Sequence, residues 1–487
     1  MNGRALSLLL AAVLLALPGC RPRHEGAVKV TVIGGTPKVE DPALVPLSES
    51  DAVLVASVGQ GLVQLDAAGN IVSGLAERWN VSDDGLSYIF RIAATNWPGG
   101  RKVTAQQVAR ILKRSLATAS VNRLKDAAGA IDDVVAMTDR VIEIRLRAPR
   151  PNLLNLLAQP EFGIVRNGIG TGPFQIDPKQ DKPGELALSR EIVAPDEESA
   201  TREEVLLAAT PAEQAVREFV AGNTDLVLGG TFADLPFAQQ AKLPRGALRF
   251  DPASGLFGLV PTRPGTPLDD LGVRLLLSQA IDRDALIDAL RVPALAPRTT
   301  LLEPGLDGMP APAAPVWAAT PLDQRRPALA AEATREFGED KPSLRVFIPE
   351  GPGGDLVFNR LATDWTALGI TITRATSASA SDLKLVDSVA PSNSAAWFLR
   401  QFRCEFVPVC DQQADELLDG ARDTLVPAQR YALLAQAAAR IDAAQLFIPL
   451  AAPVRWSLVS TRIQGFTGNR YARHTLTDLE QKPNNGG

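Results

Sequence analysis

Few residues in this chain can carry out covalent or metal chemistry. Only two histidines, His24 and His474, occur in 487 residues, so a Ser-His-Asp triad or a histidine-based zinc site would have to recruit one of them. Neither His-Glu-x-x-His nor Gly-x-Ser-x-Gly is present. Gly170-Thr171-Gly172-Pro173-Phe174 lacks the Gly-x-x-x-x-Gly-Lys spacing of a phosphate loop, and no helical pattern follows it. It reads instead as a backbone feature, with glycines that allow dihedrals closed to other residues and Pro173 fixing φ where a strand begins. Asp282 has no nearby acid or base partner and is placed to cap a helix. A glycosidase-type carboxylate pair stays open in principle among 55 acids. This inventory points to binding rather than catalysis, with no cofactor and no metal.

The three cysteines sort by position. Arg4 and the apolar run Ala5 to Leu17 precede Leu17-Pro18-Gly19-Cys20, which reads as a lipoprotein signal cut just before the cysteine; the apolar run is short for a spanning helix of ~20 residues. Cys20 is then the lipid attachment site. Cys404 and Cys410 remain as a pair around Glu405-Phe406-Val407-Pro408-Val409. An exported chain permits a disulfide between them; a metal site is the alternative, although no histidine lies nearby. Removing residues 1–19 takes away only Arg4, leaving 49 basic against 55 acidic residues and a net charge near −6. That balance lacks the basic stripe of a nucleic-acid binder. The length calls for two or more lobes.

Local patterns supply the scaffold. Trp79, Val81, Tyr88 and Phe90 predict a hairpin around Ser82-Asp83-Asp84-Gly85. Thr104-Ala105-Gln106-Gln107 is a capping box opening a helix whose Val108, Ile111, Leu112 and Leu116 form one stripe, to be packed on the hairpin. Val28 to Ile33 and Ile142 to Leu146 predict strands, and Pro151 to Leu157 a short helix. Pro178 to Glu204 predicts a surface loop, and Thr210-Pro211-Ala212-Glu213 a second capping box ahead of a strand at 225–228. Leu256 to Val260 predicts a strand crossing between lobes. Residues 291–343 predict short helices at most, and 344–373 a βαβ unit. Pro427 to Ile441 predicts a long helix and Phe447 to Leu450 a strand.

The stretch Gly61 to Leu116, with Gly-Leu-Val, Leu-Ala-Glu-x-Trp, Ser-Asp-Asp-Gly, Gly-Gly and Thr-Ala in order, resembles the opening signature of the family 5 extracellular solute-binding proteins. These are the oligopeptide, dipeptide and nickel-binding components of bacterial ABC importers. Gly170-Thr171-Gly172-Pro173-Phe174, the helix Val273 to Arg283, Ile448-Pro449-Leu450 and Gly465-Phe466 resemble further segments of that family. Gly59 and Gln60 stand where the family usually has Tyr-Glu, and Gln107 where it usually has Asp.

The resemblance implies an α/β, two-lobed periplasmic-binding-protein type II fold with an extra subdomain in lobe I. It divides the chain into a signal peptide (1–19), a tether (20–27), lobe I (28–47, 165–258 and 456–487), its subdomain (48–164) and lobe II (259–455). It also implies a monomer that captures a peptide or similar small solute between its lobes and is not an enzyme. The monomer is held by lipid at a bacterial membrane and works with an inner-membrane permease and ATPase subunits. The alternative is a lipoprotein sensor or scaffold that keeps the fold without transport. In peptide-binding members an Asp pairs with the ligand's α-amino group, and Asp387 in Val386-Asp387-Ser388-Val389-Ala390-Pro391 falls on that position, without the usual Tyr and second acid. The other reading of Asp387 is a solvated strand end. Dipeptide, longer peptide, nickel chelate, opine and sugar all stay open as ligands.

Overall fold

Two α/β lobes are joined by two short segments rather than by the expected crossing strand Leu256 to Val260, which lies within the second lobe's sheet as Gly255–Pro261, and a smaller sheet-and-helix unit grows out of the first. The computed structural model describes residues 26–178, 184–192, 200–339 and 341–481; the leader, Cys20 and His24 lie outside them. The first lobe holds a seven-stranded sheet in the order Gln175–Ile176, Glu185–Ile192, Thr201–Thr210, Val28–Ile33, Leu226–Thr231, Arg455–Val459, Leu248–Phe250. Val28–Ile33 lies in its middle, parallel to both neighbours. Val30, Val32 and Thr31 are buried there, the condition that favours a β-branched sequence.

The second lobe holds five strands in the order Thr371–Arg374, Ser343–Phe347, Leu383–Val389, Gly255–Pro261, Ile448–Ala451. Ser343–Phe347 and Thr371–Arg374 are parallel and joined through helix Pro352–Thr366, the expected βαβ unit. The subdomain sheet runs Ala76–Val81, Ser87–Ile92, Val141–Leu146, Ile131–Thr138. Trp79 faces Phe90 and Val81 faces Tyr88 in the hairpin. The Thr104 hydroxyl accepts from the Gln107 N–H at 3.4 Å, and the Gln107 side chain accepts from the Thr104 N–H at 3.3 Å and from the Trp97 indole at 2.8 Å. Helix Ala105–Leu116 starts there, but it lies chiefly along Ile131–Thr138, a strand that the sequence pattern did not mark, rather than directly on the hairpin.

Four other expectations are corrected. Within Pro178 to Glu204, Glu185–Ile192 and the start of Thr201–Thr210 are paired strands; their outward residues form charge pairs such as Arg190 with Glu203 at 2.6 Å, so the polar composition that suggests a loop is the solvated face of a sheet. Thr210 caps nothing: it is held extended beside Ile33, one residue too early, and Pro211 occupies the cap position of helix Ala212–Val220. Between 291 and 343 there is a helix of 16 residues, Leu322–Phe337, with Pro327 inside it and only Leu329 and Ala333 buried. The helix expected to run from Val273 to Arg283 stops at Ala280, whereas Asp282 does cap the next helix as expected, accepting from the Ala285 N–H at 3.0 Å to open Arg283–Leu290.

Gly170 and Gly172 are required for a different reason from backbone freedom. A Cβ on Gly170 would stand 2.2 Å from the Val58 carbonyl oxygen, and one on Gly172 would stand 2.4 Å from that of Ser57. The segment presses against the end of helix Glu49–Val58, and the Gln60 amide holds it by donating to the Thr171 carbonyl at 2.5 Å.

Candidate functional site between the lobes

Two short segments, 251–254 and 452–454, carry the chain from one sheet to the other. They are tied together, since the Asp251 N–H donates to the Arg455 carbonyl at 3.0 Å and the Asp251 carboxylate accepts from the Asn469 N–H at 2.9 Å. His474 Nε2 lies 3.1 Å from the same carboxylate. Beside the crossing, buried Glu303 meets the Ser254 hydroxyl, Arg298 at 2.6 Å and Arg470 at 3.5 Å. The second histidine is thus part of a structural polar cluster.

Asp387 lies on the second lobe's strand Leu383–Val389, opposite Phe257. Nη1 of Arg455, on the first lobe's strand, is 2.8 and 2.9 Å from its two carboxylate oxygens, and Nη2 donates to its backbone carbonyl at 3.3 Å. Burial pushes the Asp387 carboxyl above the usual range, while the Arg455 charge and hydrogen bond pull the other way. This ion pair joins the two sheets. Sequence reasoning found Asp387 but not Arg455, which is 68 residues away with no spacing rule to link them.

A cavity of about 430 Å³ opens between the subdomain and the second lobe, within the size range of small-molecule sites. Asp387 does not line it. Leu153 and Leu156, from helix Leu153–Leu157, face Trp397 of helix Ala395–Arg400 and Leu418 and Leu434 of helices Gln412–Asp423 and Pro427–Ala443. Hydrogen bonds pass between the lobes around it. The Asn152 amide donates to Asp307 Oδ1 at 2.7 Å and to the Asn393 carbonyl at 3.0 Å. The buried Gln159 amide donates to the Pro391 carbonyl at 2.9 Å. Asp307 is further held by the Ala395 N–H at 2.9 Å, with Arg430 at 3.6 Å.

Cys404 and Cys410 are joined as a disulfide, with Cα atoms 5.1 Å apart, in the loop after the Trp397 helix. Among the described residues no group of three or more His, Cys, Asp or Glu is arranged to hold a metal ion. Arg283, fully enclosed and pushed down to about 9 by burial, donates to the carbonyls of Pro449 and Ser278 at 2.8 Å each. It locks a helix junction.

Two α/β lobes joined by two short crossings, with a cavity bounded by both, have the architecture of a solute-binding protein. Residues 70–396 match the bacterial extracellular solute-binding proteins, family 5 (middle), and the chain belongs to that family. Over its full length it is 25% identical to the probable di/tripeptide-binding protein 5 of Pseudomonas aeruginosa, with 99% of this chain and 100% of that protein covered. It is 22% identical to the oligopeptide-binding protein OppA of Bacillus subtilis, over 56% of each chain. Among solved structures it resembles Haemophilus influenzae OppA in complex with RPPGFSPFR, with a TM-score of 0.79, 16% identity and 94% and 99% coverage of the two chains. It also resembles AgaA of A. tumefaciens in complex with agropinic acid, with a TM-score of 0.73, 18% identity and 94% and 99% coverage. These likenesses establish the two-lobed type II periplasmic-binding fold, and family and fold are those of binding proteins rather than enzymes. Among the described residues no helix is long and apolar enough to cross a membrane.

Proposed function

We propose that the protein is the substrate-binding component of an ABC importer, a monomer that encloses a peptide or similar small solute between its lobes and delivers it to a membrane permease driven by separate ATPase subunits. The observation that carries this reading is the cavity of about 430 Å³ bounded by both lobes and ringed by hydrogen bonds between them. Lobes hinged on two short segments open to admit a solute and close to bury it. Closure then creates the surface that the permease reads. Cys20 is the proposed lipid attachment site that keeps the chain outside the cytoplasm on a bacterial membrane.

For a peptide cargo, Asp387 is the candidate partner of the α-amino group, the ammonium taking the place that Arg455 holds beside it. Calorimetry with a short peptide and its N-acetylated form tests this. Weaker binding of the acetylated form is expected, and equal affinity removes Asp387 from that role. A second reading, a lipoprotein sensor or scaffold, is favoured by the same ion pair, because a carboxylate already satisfied by the protein has no need of a ligand. Native mass spectrometry of freshly purified protein separates the two. A co-purified solute supports import, and persistent emptiness favours the scaffold.

A further inference from the structure

The wall of the cavity between the subdomain and the second lobe carries positive charge that it does not itself neutralise. Six arginines line it, Arg147, Arg150, Arg400, Arg403, Arg422 and Arg430, against the acids Asp126, Asp307 and Glu405. Four of the six have carboxylate partners: Arg403 with Asp419 at 2.8 Å, Arg422 with Asp423 at 3.1 Å, Arg430 with Asp307 at 3.6 Å, and Arg147 loosely with Asp132 at 3.9 Å. Arg150 and Arg400 differ. Arg150 donates to the carbonyls of Pro149 at 2.7 Å and Arg422 at 2.6 Å, and Arg400 donates to the carbonyl of Asp126; among the described residues neither forms an ion pair with a carboxylate.

Both guanidiniums pay for that position. Burial is the first cause that pushes Arg150 down to about 10, reinforced by the neighbouring Arg430 charge. Arg400 is lowered by burial too, with Arg403 and Arg422 adding repulsion. An arginine keeps its proton near neutral pH, so these two cations stay charged while, among the described residues, their hydrogen bonds go to carbonyls and the nearby carboxylates act on them only at longer range. They also approach from opposite sides, Arg150 just ahead of the subdomain helix Leu153–Leu157 and Arg400 at the end of the second lobe's helix Ala395–Arg400.

We propose that this cavity takes an anionic solute, a carboxylate-bearing ligand that Arg150 and Arg400 engage from the two lobes. The inference rests on the solute-binding reading and narrows its cargo. Planar guanidinium forks match carboxylates in a bidentate manner. Trp397, Leu153 and Leu156 supply an apolar wall for the ligand's carbon skeleton, which a bare inorganic anion does not need. The carboxylate has three possible sources: a peptide's C-terminus, an acidic side chain or a free polycarboxylate. Each is represented in the test.

The bland account of the two arginines is a structural clasp, since each already donates to a carbonyl across the lobe boundary. Calorimetry at constant ionic strength distinguishes the two, with trialanine, trialanine amide, Ala-Glu-Ala amide and citrate as probes. Wild-type protein is compared with Arg150→Gln and Arg400→Gln. At least one carboxylate probe is expected to bind wild type and to bind each variant at least tenfold more weakly, with trialanine amide the weakest probe. The variants without added probe are expected to melt no lower than wild type, because each loses a partly buried cation that forms no ion pair among the described residues; a clasp would lose stability instead. Carboxylate probes that bind the variants as tightly as wild type, or an amide that binds as tightly as its acid, overturn the inference. Native mass spectrometry supplies the separate check on the underlying reading. A bound neutral solute retained equally by all three proteins sinks the anionic cargo but leaves solute capture standing. No bound solute together with no response to any probe sinks both.

Discussion

Asp442 shows what a single buried charge costs. On helix Pro427–Ala443 its partly buried carboxylate accepts from the Leu301 N–H at 3.0 Å, and burial pushes its pKa up to about 6, above the ordinary carboxylate range. Because the folded state holds the proton more tightly, the stability contributed by this group is fully present below the unfolded value and is lost as pH rises through the folded one. Asp442→Asn keeps an acceptor for Leu301 and removes the charge. It is expected to raise stability by up to about 3 kcal/mol near pH 7.5 and to change little near pH 3.5, read by thermal unfolding at both. An equal shift at the two pH values would point to altered packing rather than to charge. The same scale separates what the sequence reveals about the site from what it hides. Asp387 stands out because a motif surrounds it, whereas Arg455, Arg150 and Arg400 are ordinary arginines until the fold brings them to a crossing or a cavity.

Elements with a strong local cause are legible in the chain, and those governed by distant partners are not. The capping box at Thr104 and the aromatic hairpin follow from residues within a few positions of each other. Thr201–Thr210 needs Val28–Ile33 and Glu185–Ile192 as neighbours before its charged residues make sense, and Leu322–Phe337 carries a proline that argues against the helix it belongs to. The loop closed by Cys404 and Cys410 lies between these cases, with a spacing visible in sequence and an anchor that is not. The Cys404 N–H donates to Asp415 at 3.1 Å, and Arg403 pairs with Asp419 at 2.8 Å, so helix Gln412–Asp423 fixes the loop's start. Replacing both cysteines by serine is expected to cost about 2 kcal/mol, the chain-entropy value for so short a loop. Denaturant titration measures that cost. Alkylation under denaturing, non-reducing conditions, read by peptide mass, should leave both cysteines of the parent protein unmodified; two alkylated thiols would remove the disulfide.

At the scale of the whole molecule, the two lobes meet through unlike surfaces. Near the crossings a close apolar core runs beside the Asp387–Arg455 ion pair: a Cβ on Gly353 would stand 1.8 Å from the Phe232 carbonyl oxygen, and the core extends from Val227 and Leu458 of the first sheet to Leu344 and Leu385 of the second. Around the cavity the contact is a set of hydrogen bonds, of which the Gln159 amide to the Pro391 carbonyl is buried and does not belong to the cavity wall. A continuous apolar core survives rotation, while hydrogen bonds of this kind can be exchanged for water, so in the proposed closure the core side would serve as the hinge and the hydrogen bonds around the cavity as the latch. Gln159→Leu removes the donor and leaves a side chain of similar reach. It is expected to weaken the closed arrangement by about 1–2 kcal/mol, a shift of roughly 5- to 30-fold toward open forms. Small-angle scattering of the empty protein should show a larger radius of gyration, and affinity for the co-purified solute should fall by roughly tenfold. Unchanged scattering with unchanged affinity would mean that Gln159 braces the subdomain and that the latch lies elsewhere.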